Sequence, residues 1–488
     1  MTTTTSSTDP GFSNISNKLN TNGSVTKLLL GLAALALGQG LQDGNGQLTY
    51  HALIWLTIAL TCAGASMAFR RLSIPLISRR VLWVVLITGL IWQFYQLLTM
   101  VPAESLLPDY RQSFWQFQIC IFVGGGCALL SLMPMRGGPR WAHRSLIILT
   151  FVAIFFAGIW MIKVSPKPFI DVYMFQQTSS EALLQGHNPY LLTPPNIYGN
   201  MLYYGAQLVK NGKMTIGNPY PPLSIYLSSI SYAVTKDIRY SDLVAILVAG
   251  MLMVFLRPSR ETLLATYIFL FTPRIYYVIE QSWTEPLVLV LAVAVVWCAM
   301  HRPAWKYLAL GLMIASKQYM VFMLPLIFLL FSPGSTKRIW AQSLGWTVGS
   351  AFVVTAPLAF WNFPAFLWDV GLAQLYQVSR IDALSYATAY ARVFGYFPTQ
   401  FLSLVVLGAA LLLFLRFGER TPAGFASALA LGLGLFFAFS KQAFCNYYFL
   451  VIGLLCCALA AMPILENLSA TALKTNESTM QGMKRSED

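Results

Sequence analysis

The chain has 488 residues, of which 57% are hydrophobic and 10% are charged. Soluble domains carry about a quarter charged residues, so this composition excludes an ordinary soluble globular protein. The formal net charge is +14. Its basic residues stand in short clusters between apolar runs, which is typical of membrane-protein loops and argues against a nucleic-acid partner.

Apolar runs of membrane-spanning length recur along the chain, and we count about 14 candidates. Clear examples are residues 50–69, 81–101, 145–163, 340–361 and 445–462. The first run, 28–37, is short and resembles the apolar core of a signal peptide. Its polar leader is long and lacks an arginine cluster, so we predict a first spanning helix instead. The sequence therefore predicts an all-α polytopic membrane protein.

The basic clusters orient the predicted helices. If the clusters face the cytoplasm, one consistent path through the membrane results, with both termini inside. The path predicts a polar cytoplasmic leader at 1–25, extra N-terminal spans at 26–144, a main transmembrane module at 145–465 and a disordered cytoplasmic tail at 466–488. We expect this multi-pass protein in the plasma (inner) membrane.

Two long loops then lie on the outer, extracytoplasmic side, at 164–240 and 362–399. The first is rich in tyrosine, and its apolar residues at 170–184 have helical spacing. A second helix is predicted after Tyr220, where two prolines suit a helix start. We expect both to be amphipathic helices on the membrane surface. Most carboxylates also fall on this side, so chemistry is expected there.

Metal and nucleotide chemistry find no support in the sequence. The seven cysteines lie mostly inside apolar runs without metal-type spacing, and the four histidines are scattered. No Walker loop, dinucleotide fingerprint, zinc signature or serine-nucleophile elbow occurs. We therefore predict no metal and no cofactor.

The strongest candidate for chemistry is Asp171, which follows a predicted span and begins a predicted amphipathic helix. A carboxylate against the membrane needs a structural or functional reason. It caps the helix and pairs with its dipole, or it is a general base that takes a proton from a hydroxyl group. Position alone leaves both interpretations open.

Three cations are predicted near the outer membrane boundary. Lys317 and Lys441 each stand in a Ser-Lys-Gln element beside an apolar run, and Arg274 interrupts another run as Thr-Pro-Arg. The structural interpretation is that the lysines extend to the interface. The functional one is that these cations bind a phosphate group.

Several polar and aromatic residues accompany these candidates. Glu280 and Glu285 flank a short outer turn, where they orient an acceptor, support a cation or simply face solvent. Gly-His-Asn-Pro-Tyr at 186–190 and Gly-Asn-Pro-Tyr at 217–220 echo each other and are also explained as turns. The candidates for binding an acceptor or a sugar are Glu285, Glu280, Tyr173, Gln318, Asn188, Tyr190 and Tyr220.

A spanning helix, then a large outer loop that begins with an acidic residue, then surface helices with a Pro-Pro-Leu element resemble the GT-C fold glycosyltransferases. The resemblance is strongest to glycosyltransferase family 87, whose members use a polyprenol-phosphate mannose donor. The resemblance runs from residue 145 to the last predicted helix. Its motifs are Asp-Val-Tyr at 171–173, the 182–190 segment, Tyr-Pro-Pro-Leu at 220–223, Glu-Pro at 285–286 and Ala-Ser-Lys-Gln at 315–318. Each motif is short, and the four spans ahead of residue 145 depart from the simplest plan of the fold.

The resemblance implies an inverting transferase. It would move a sugar, a mannose-like hexose or a pentose, from a polyprenyl-phosphate donor to a hydroxyl acceptor on a glycan or lipid. Asp171 falls at the family's catalytic carboxylate, Lys317 at a basic position near the donor phosphate, and Glu285 at the acidic position of the second outer turn.

Two other functions remain open on the sequence. A polytopic transporter or lipid-linked glycan flippase would show charges within the membrane and repeated halves with broken helices, and no convincing internal repeat is present. A non-catalytic membrane scaffold would tolerate the loss of Asp171 and Lys317 together.

Overall fold

The computed structural model describes residues 10–69, 77–134, 139–199, 203–332 and 334–463. The predicted tail at 466–488 and the first nine residues of the predicted leader lie outside these ranges.

The described chain is mostly helical. Its α-helices are α1 (Pro10–Gly44), α2 (Tyr50–Phe69), α3 (Arg79–Thr99), α4 (Phe114–Leu132), α5 (Arg140–Val164), α6 (Asp171–Leu184), α7 (Pro222–Thr235), α8 (Arg239–Val254), α9 (Arg260–Leu270), α10 (Ile275–Glu280), α11 (Glu285–His301), α12 (Lys306–Ile314), α13 (Lys337–Trp361), α14 (Phe363–Phe366), α15 (Tyr386–Phe394), α16 (Leu402–Phe417), α17 (Pro422–Ala438) and α18 (Cys445–Ala461).

Other backbone elements are short, with one exception. Two-residue strands β1 (Val209–Lys210) and β2 (Lys213–Met214) pair antiparallel. A π-helical turn covers Leu367–Gly371. The 3-10 helices are Tyr110–Gln112, Pro189–Leu191, Ala206–Leu208, Pro303–Trp305, Gln318–Leu330 and Leu372–Tyr376.

Membrane-spanning character is confirmed for part of the predicted set. Among the described residues, six helices are long and apolar enough to cross a bilayer: residues 24–44 of α1 together with α2, α3, α4, α5 and α13. The short run at 28–37 thus belongs to a helix of spanning length. Five shorter apolar segments are α11, Gln318–Leu330, α16, α17 and α18. The protein is a helical membrane protein, and the total of about 14 spans stays a prediction.

Local sequence explains where several helices begin. The side chains of Ser78, Ser259, Thr336 and Thr421 each accept a backbone N–H of the first turn that follows. These N-caps satisfy donors that a helix leaves unpaired. Proline occupies the first turn of α7, α11 and α17, where its missing N–H is harmless.

Two apolar runs of the sequence form less regular structures than a single α-helix. The run at 262–279 is long enough for one spanning helix, but it divides into α9 and α10 at Pro273, which cannot donate to the helical ladder. The run after Lys317 is a 3-10 helix of 13 residues. Since a 3-10 helix rises about 2 Å per residue, this segment extends for about 26 Å.

The core is centred on α18. Almost all of its side chains are buried, and it packs against α1, α9, α11 and α17. The extra N-terminal helices α1–α4, hereafter the accessory helices, are therefore part of one helix bundle. A buried ion pair joins them to the main module, because Lys27 donates to Glu261, which Arg79 also contacts at 3.1 Å.

The loop at 164–240 contains both helices predicted for it, as α6 and α7. It also contains the β1–β2 hairpin, which an all-α prediction missed. Asn211 and Gly212 both have positive φ, 52° and 74°, as a two-residue hairpin turn requires. Strands of two residues are too short for an alternating sequence pattern to reveal.

Candidate functional site

A cavity of about 590 Å³ lies at one end of the helix bundle. Its walls come from the α1–α2 and α3–α4 connections, the loop between α5 and α7, the α10–α11 turn and the segment after α12. The connection from α13 to α16 and the α17–α18 turn complete it. The cavity is thus assembled from every second connection along the chain.

The connections that alternate with these carry the basic clusters. Among the described residues, no lining side chain comes from the segments around Arg79, Arg140, Arg257, Arg302 or Lys337. Because successive helices of the bundle reverse direction, the basic clusters belong to the end opposite the cavity.

Asp171, the predicted general base, lies in the cavity wall at the first position of α6. Its Oδ1 accepts the backbone N–H of Val172 at 2.8 Å and the hydroxyl of Tyr198 at 3.4 Å. Its Oδ2 accepts a hydrogen bond from the Tyr204 hydroxyl. The carboxylate is therefore held in one orientation by the loop that follows α6.

Burial raises the pKa of Asp171, although the hydrogen bonds from Tyr204, Val172 and Tyr198 oppose the shift. Burial and the neighbouring carboxylate also raise the pKa of both tyrosines, so they keep their protons and act as donors. A carboxylate with a raised pKa is a stronger base than an exposed one.

Lys317, the predicted phosphate ligand, lines the same cavity. Its ammonium group donates to Glu285 Oε1 and to Thr284 Oγ1, each at 2.7 Å. The hydroxyl of Tyr319 donates to the same Glu285 oxygen at 3.2 Å. Glu285 itself is fully buried and lies behind Lys317. The pair fixes the position of the cation.

The ring of Tyr220 lies against Lys317, with the ammonium nitrogen 4.7 Å from the ring centroid. The pKa of the Tyr220 hydroxyl is raised well above its usual value by burial and by the charges of Asp171 and Glu285. Tyr220 therefore belongs to the wall between the acidic and the basic parts of the cavity. Gln318 donates to the carbonyl oxygen of Pro219 and supports this segment.

Two further cations line the cavity. Lys441 donates to the carbonyl oxygen of Gln377 at 2.7 Å, and burial lowers its pKa. Arg380 forms an ion pair with Asp382 at 2.7 Å and lies 3.9 Å above the ring of Tyr203. Lys441 was a sequence candidate, whereas Arg380 was not.

The remaining candidates lie outside the cavity lining. Arg274 donates to the carbonyl oxygen of Val101 at 3.1 Å. Glu280 accepts backbone N–H groups from the α3–α4 connection. Tyr173 packs beneath the guanidinium of Arg239. Tyr190 donates to the Tyr220 carbonyl at 2.9 Å, and Asn188 caps the turn that holds Tyr190. These five residues therefore contact other parts of the protein and do not face the cavity.

Sequence reasoning missed Tyr198, Tyr204, Arg380 and Glu104 as cavity residues. The sequence shows the tyrosines only as part of a tyrosine-rich loop, and no spacing relates them to Asp171. Arg380 and Glu104 lie in connections with no recognisable motif. Only their juxtaposition in the fold singles them out.

The described residues contain no group of three or more His, Cys, Asp or Glu side chains arranged to hold a metal ion. All seven cysteines are free thiols. The expectation that the protein works without a metal or cofactor stays a prediction.

Comparison with known proteins gives no match, whether with family models, curated proteins or solved structures. The resemblance to the GT-C glycosyltransferases therefore rests on the short motifs and their order. The function has to be argued from the chemistry of the cavity.

Proposed function

We propose that the protein is a glycosyltransferase that moves a sugar from a polyprenyl-phosphate donor to a hydroxyl acceptor at the outer face of the membrane. One observation carries the proposal. Asp171 and Lys317 come from distant parts of the sequence, and both line a single cavity at one end of the bundle. A base and a cation in one cavity are what transfer from a phosphate leaving group requires.

The cavity has basic groups and exposed apolar residues in its lining. Lys317, Lys441 and Arg380 line it and are suited to bind the donor phosphate. Phe322, Phe401 and Leu404 also line it and are at least 36% exposed, as an apolar mouth in contact with lipid would be. A polyprenyl chain fits such a mouth, while its phosphate reaches the cations.

The transfer follows from the positions of these groups. The acceptor hydroxyl gives its proton to Asp171 as its oxygen forms a bond to the anomeric carbon of the donor sugar. The bond from that carbon to the phosphate oxygen breaks, and the electron pair leaves with polyprenyl phosphate. Lys317 stabilises that anion. A single displacement inverts the anomeric configuration.

The charge distribution supports an outward-facing cavity. The basic clusters belong to the end opposite the cavity, and positively charged loops are retained in the cytoplasm. The cavity then opens outside, in the plasma (inner) membrane, with both termini inside. The same orientation is expected for an enzyme that uses a lipid-linked donor in the outer leaflet.

A transporter or lipid-linked glycan flippase is the alternative. Such proteins place their substrate site near the bilayer midplane, between repeated halves. Here the lining comes from connections at one end of the bundle. This placement favours a reaction at a membrane face over passage through the membrane.

A donor screen tests the proposal. Purified protein in lipid nanodiscs is incubated with radiolabelled polyprenyl-phosphate mannose, glucose and arabinose, together with an extract of lipids and glycans as acceptors. We expect label to move from one of these donors to an acceptor, with inversion at the anomeric carbon. Label that only crosses the bilayer of a proteoliposome, still attached to its lipid, would establish the flippase instead.

A further inference from the structure

The accessory helices contribute side chains to the cavity. Asn45 and Gln47 lie in the α1–α2 connection and Glu104 lies in the α3–α4 connection, and all three line the cavity. We call these three residues the accessory wall. All three have side chains that form directional hydrogen bonds, and Gln47 and Glu104 are exposed to solvent.

The α1–α2 connection is fixed to the main module by its backbone. Asn45 and Gly46 both have positive φ, 53° and 75°. A Cβ atom at Gly46 would lie 2.2 Å from the backbone nitrogen of Cys445. The N–H of Leu48 donates to the carbonyl oxygen of Asp382 at 2.8 Å. These contacts hold Asn45 and Gln47 in place at the cavity.

The α3–α4 connection is fixed just as closely. The buried carboxylate of Glu280 accepts the backbone N–H groups of Glu104 and Ser105, each at 2.8 Å. The carboxylate of Glu104 remains on the cavity side, where it accepts the Tyr277 hydroxyl at 3.1 Å and the Asn45 amide at 2.5 Å. Glu280, a sequence candidate for acceptor binding, thus positions Glu104.

Trp283 contacts Tyr277, whose hydroxyl group donates to Glu104 of the accessory wall. The ring of Trp283 meets that of Tyr277 edge to face, with centroids 5.2 Å apart. Trp283 follows Ser282, whose φ of 54° is uncommon for a residue with a side chain. Left-handed residues of this kind often mark functional turns. The turn brings Trp283 and Gln281 to the cavity, and both line it.

We propose that the accessory wall, together with Gln281 and Trp283, binds a sugar residue of the acceptor. A sugar ring offers hydroxyl groups that donate and accept hydrogen bonds, and its C–H face packs on an aromatic ring. Carboxamides and a carboxylate satisfy such hydroxyls, and Trp283 provides the apolar face. The inference rests on the proposed function and specifies its acceptor as a glycan or glycolipid.

The chemistry of this wall argues against an acceptor with a lone lipid hydroxyl. A single hydroxyl would engage only one or two of these side chains and would gain little binding free energy from the rest, which keep their contacts with one another and with water. A site built for several hydroxyls also discriminates strongly against analogues that lack them. The accessory helices would thus determine acceptor specificity, whereas the main module holds the donor and the base.

Sugar binding to the protein in lipid nanodiscs tests the inference without requiring turnover. Methyl glycosides of mannose, glucose, galactose and arabinose, with the corresponding disaccharides, are titrated by saturation-transfer NMR. We expect at least one to bind the wild type. Glu104→Gln and Gln47→Ala should each weaken that binding about tenfold, which corresponds to about 1.4 kcal/mol. Asp109→Asn, a change of an exposed carboxylate in the same α3–α4 connection, should leave it unchanged.

The outcomes separate this inference from the proposed function. Weaker sugar binding in Glu104→Gln, with an unchanged thermal unfolding curve, supports the subsite even when no donor is turned over. Equal binding in the wild type and both accessory-wall variants overturns it, even in a protein that transfers sugar. Absence of sugar binding to the wild type overturns it as well. Because Gln47 is exposed, Gln47→Ala keeps the test valid if Glu104→Gln fails to fold.

Discussion

The ammonium group of Lys317 lies 2.7 Å from Oε1 of Glu285, and these two side chains are only 6% and 0% exposed. The pair joins the start of α11 to the segment after α12 and places one positive charge at the cavity wall. The carboxylate of Glu285 does not line the cavity. Lys317 therefore has a structural role and, in our proposal, a role in binding donor phosphate.

A double substitution separates these two roles. Lys317→Met leaves the Glu285 carboxylate buried and unpaired, which should destabilise the protein by about 3–5 kcal/mol. Lys317→Met with Glu285→Leu removes both charges and should recover most of that stability. Thermal unfolding in nanodiscs measures the recovery.

The same pair of variants tests donor binding. We expect the double variant to fold and yet to fail in transfer, because no cation faces the phosphate from this position. A folded double variant with normal transfer would assign Lys317 a structural role alone.

The hydrogen bond from Tyr204 to Asp171 lowers the pH at which the proposed base works. Burial raises the pKa of Asp171, and the Tyr204 hydroxyl opposes that rise by stabilising the carboxylate. Transfer needs the ionised carboxylate, so the rate of transfer should increase as the pH rises through this pKa. Tyr204→Phe should shift this increase to higher pH by roughly one unit, because the variant loses a hydrogen bond that stabilises the carboxylate.

The pH dependence of kcat for transfer measures this shift. Tyr232→Phe, in α7 and outside the cavity lining, serves as the matched control and should keep the wild-type profile. A shift toward lower pH in Tyr204→Phe would show that the tyrosine does not stabilise the carboxylate.

At Gly46 the accessory helices approach the backbone of the main module closely. Gly46→Ala would place a Cβ atom against the Cys445 backbone at a positive φ, so we expect a loss of about 1–3 kcal/mol. Gly64→Ala, in α2 with no atom within 4 Å of the new Cβ, should be neutral or slightly stabilising. Equal unfolding temperatures for the two variants would contradict the close approach.

Asp369 links the connection between α13 and α16 to the loop between α6 and α7 and gives stability a pH dependence. Its Oδ2 accepts the N–H groups of Gly217 and Asn218 at 2.7 and 2.9 Å. Burial raises its pKa to about 7, against the effect of those two bonds. Unfolded aspartate titrates near pH ~4, so between about pH 4 and 7 the folded protein holds a proton that the unfolded chain has lost. Stability from this group is therefore highest at low pH and falls as pH rises through that window.

Asp369→Asn removes this titration while its amide oxygen still accepts both N–H groups. The stability difference between wild type and variant should change by up to about 4 kcal/mol across the window, in favour of the variant at higher pH. Unfolding temperatures of both proteins between pH 4 and pH 8 measure it. Parallel curves would show that Asp369 is not the titrating group.

The sequence predicted the features that local patterns encode. α2 has the predicted bounds, Asp171 begins a helix after a span, and helices lie at both predicted places in the loop at 164–240. Hydropathy and helix-start signals suffice for these because each depends on neighbouring residues.

The sequence did not reveal the contacts between distant segments. No spacing rule relates the residues that meet in the fold. Examples are the pairs Lys317 and Glu285, Asp171 and Tyr204, and Glu280 and Glu104. The division between α9 and α10 interrupts an apolar run of spanning length, and Pro273 is its visible cause. The cavity brings together short connections, and their packing depends on the whole bundle.

The most direct test of the central claim is the transfer rate of Asp171→Asn with the donor found in the screen. Asparagine keeps the shape of the side chain but cannot take the proton, so we predict a fall in kcat of about 10²–10⁴ with donor binding retained. Asp109→Asn, the exposed control, should transfer at the wild-type rate. A wild-type rate in Asp171→Asn would contradict the proposed role of this carboxylate and the mechanism built on it.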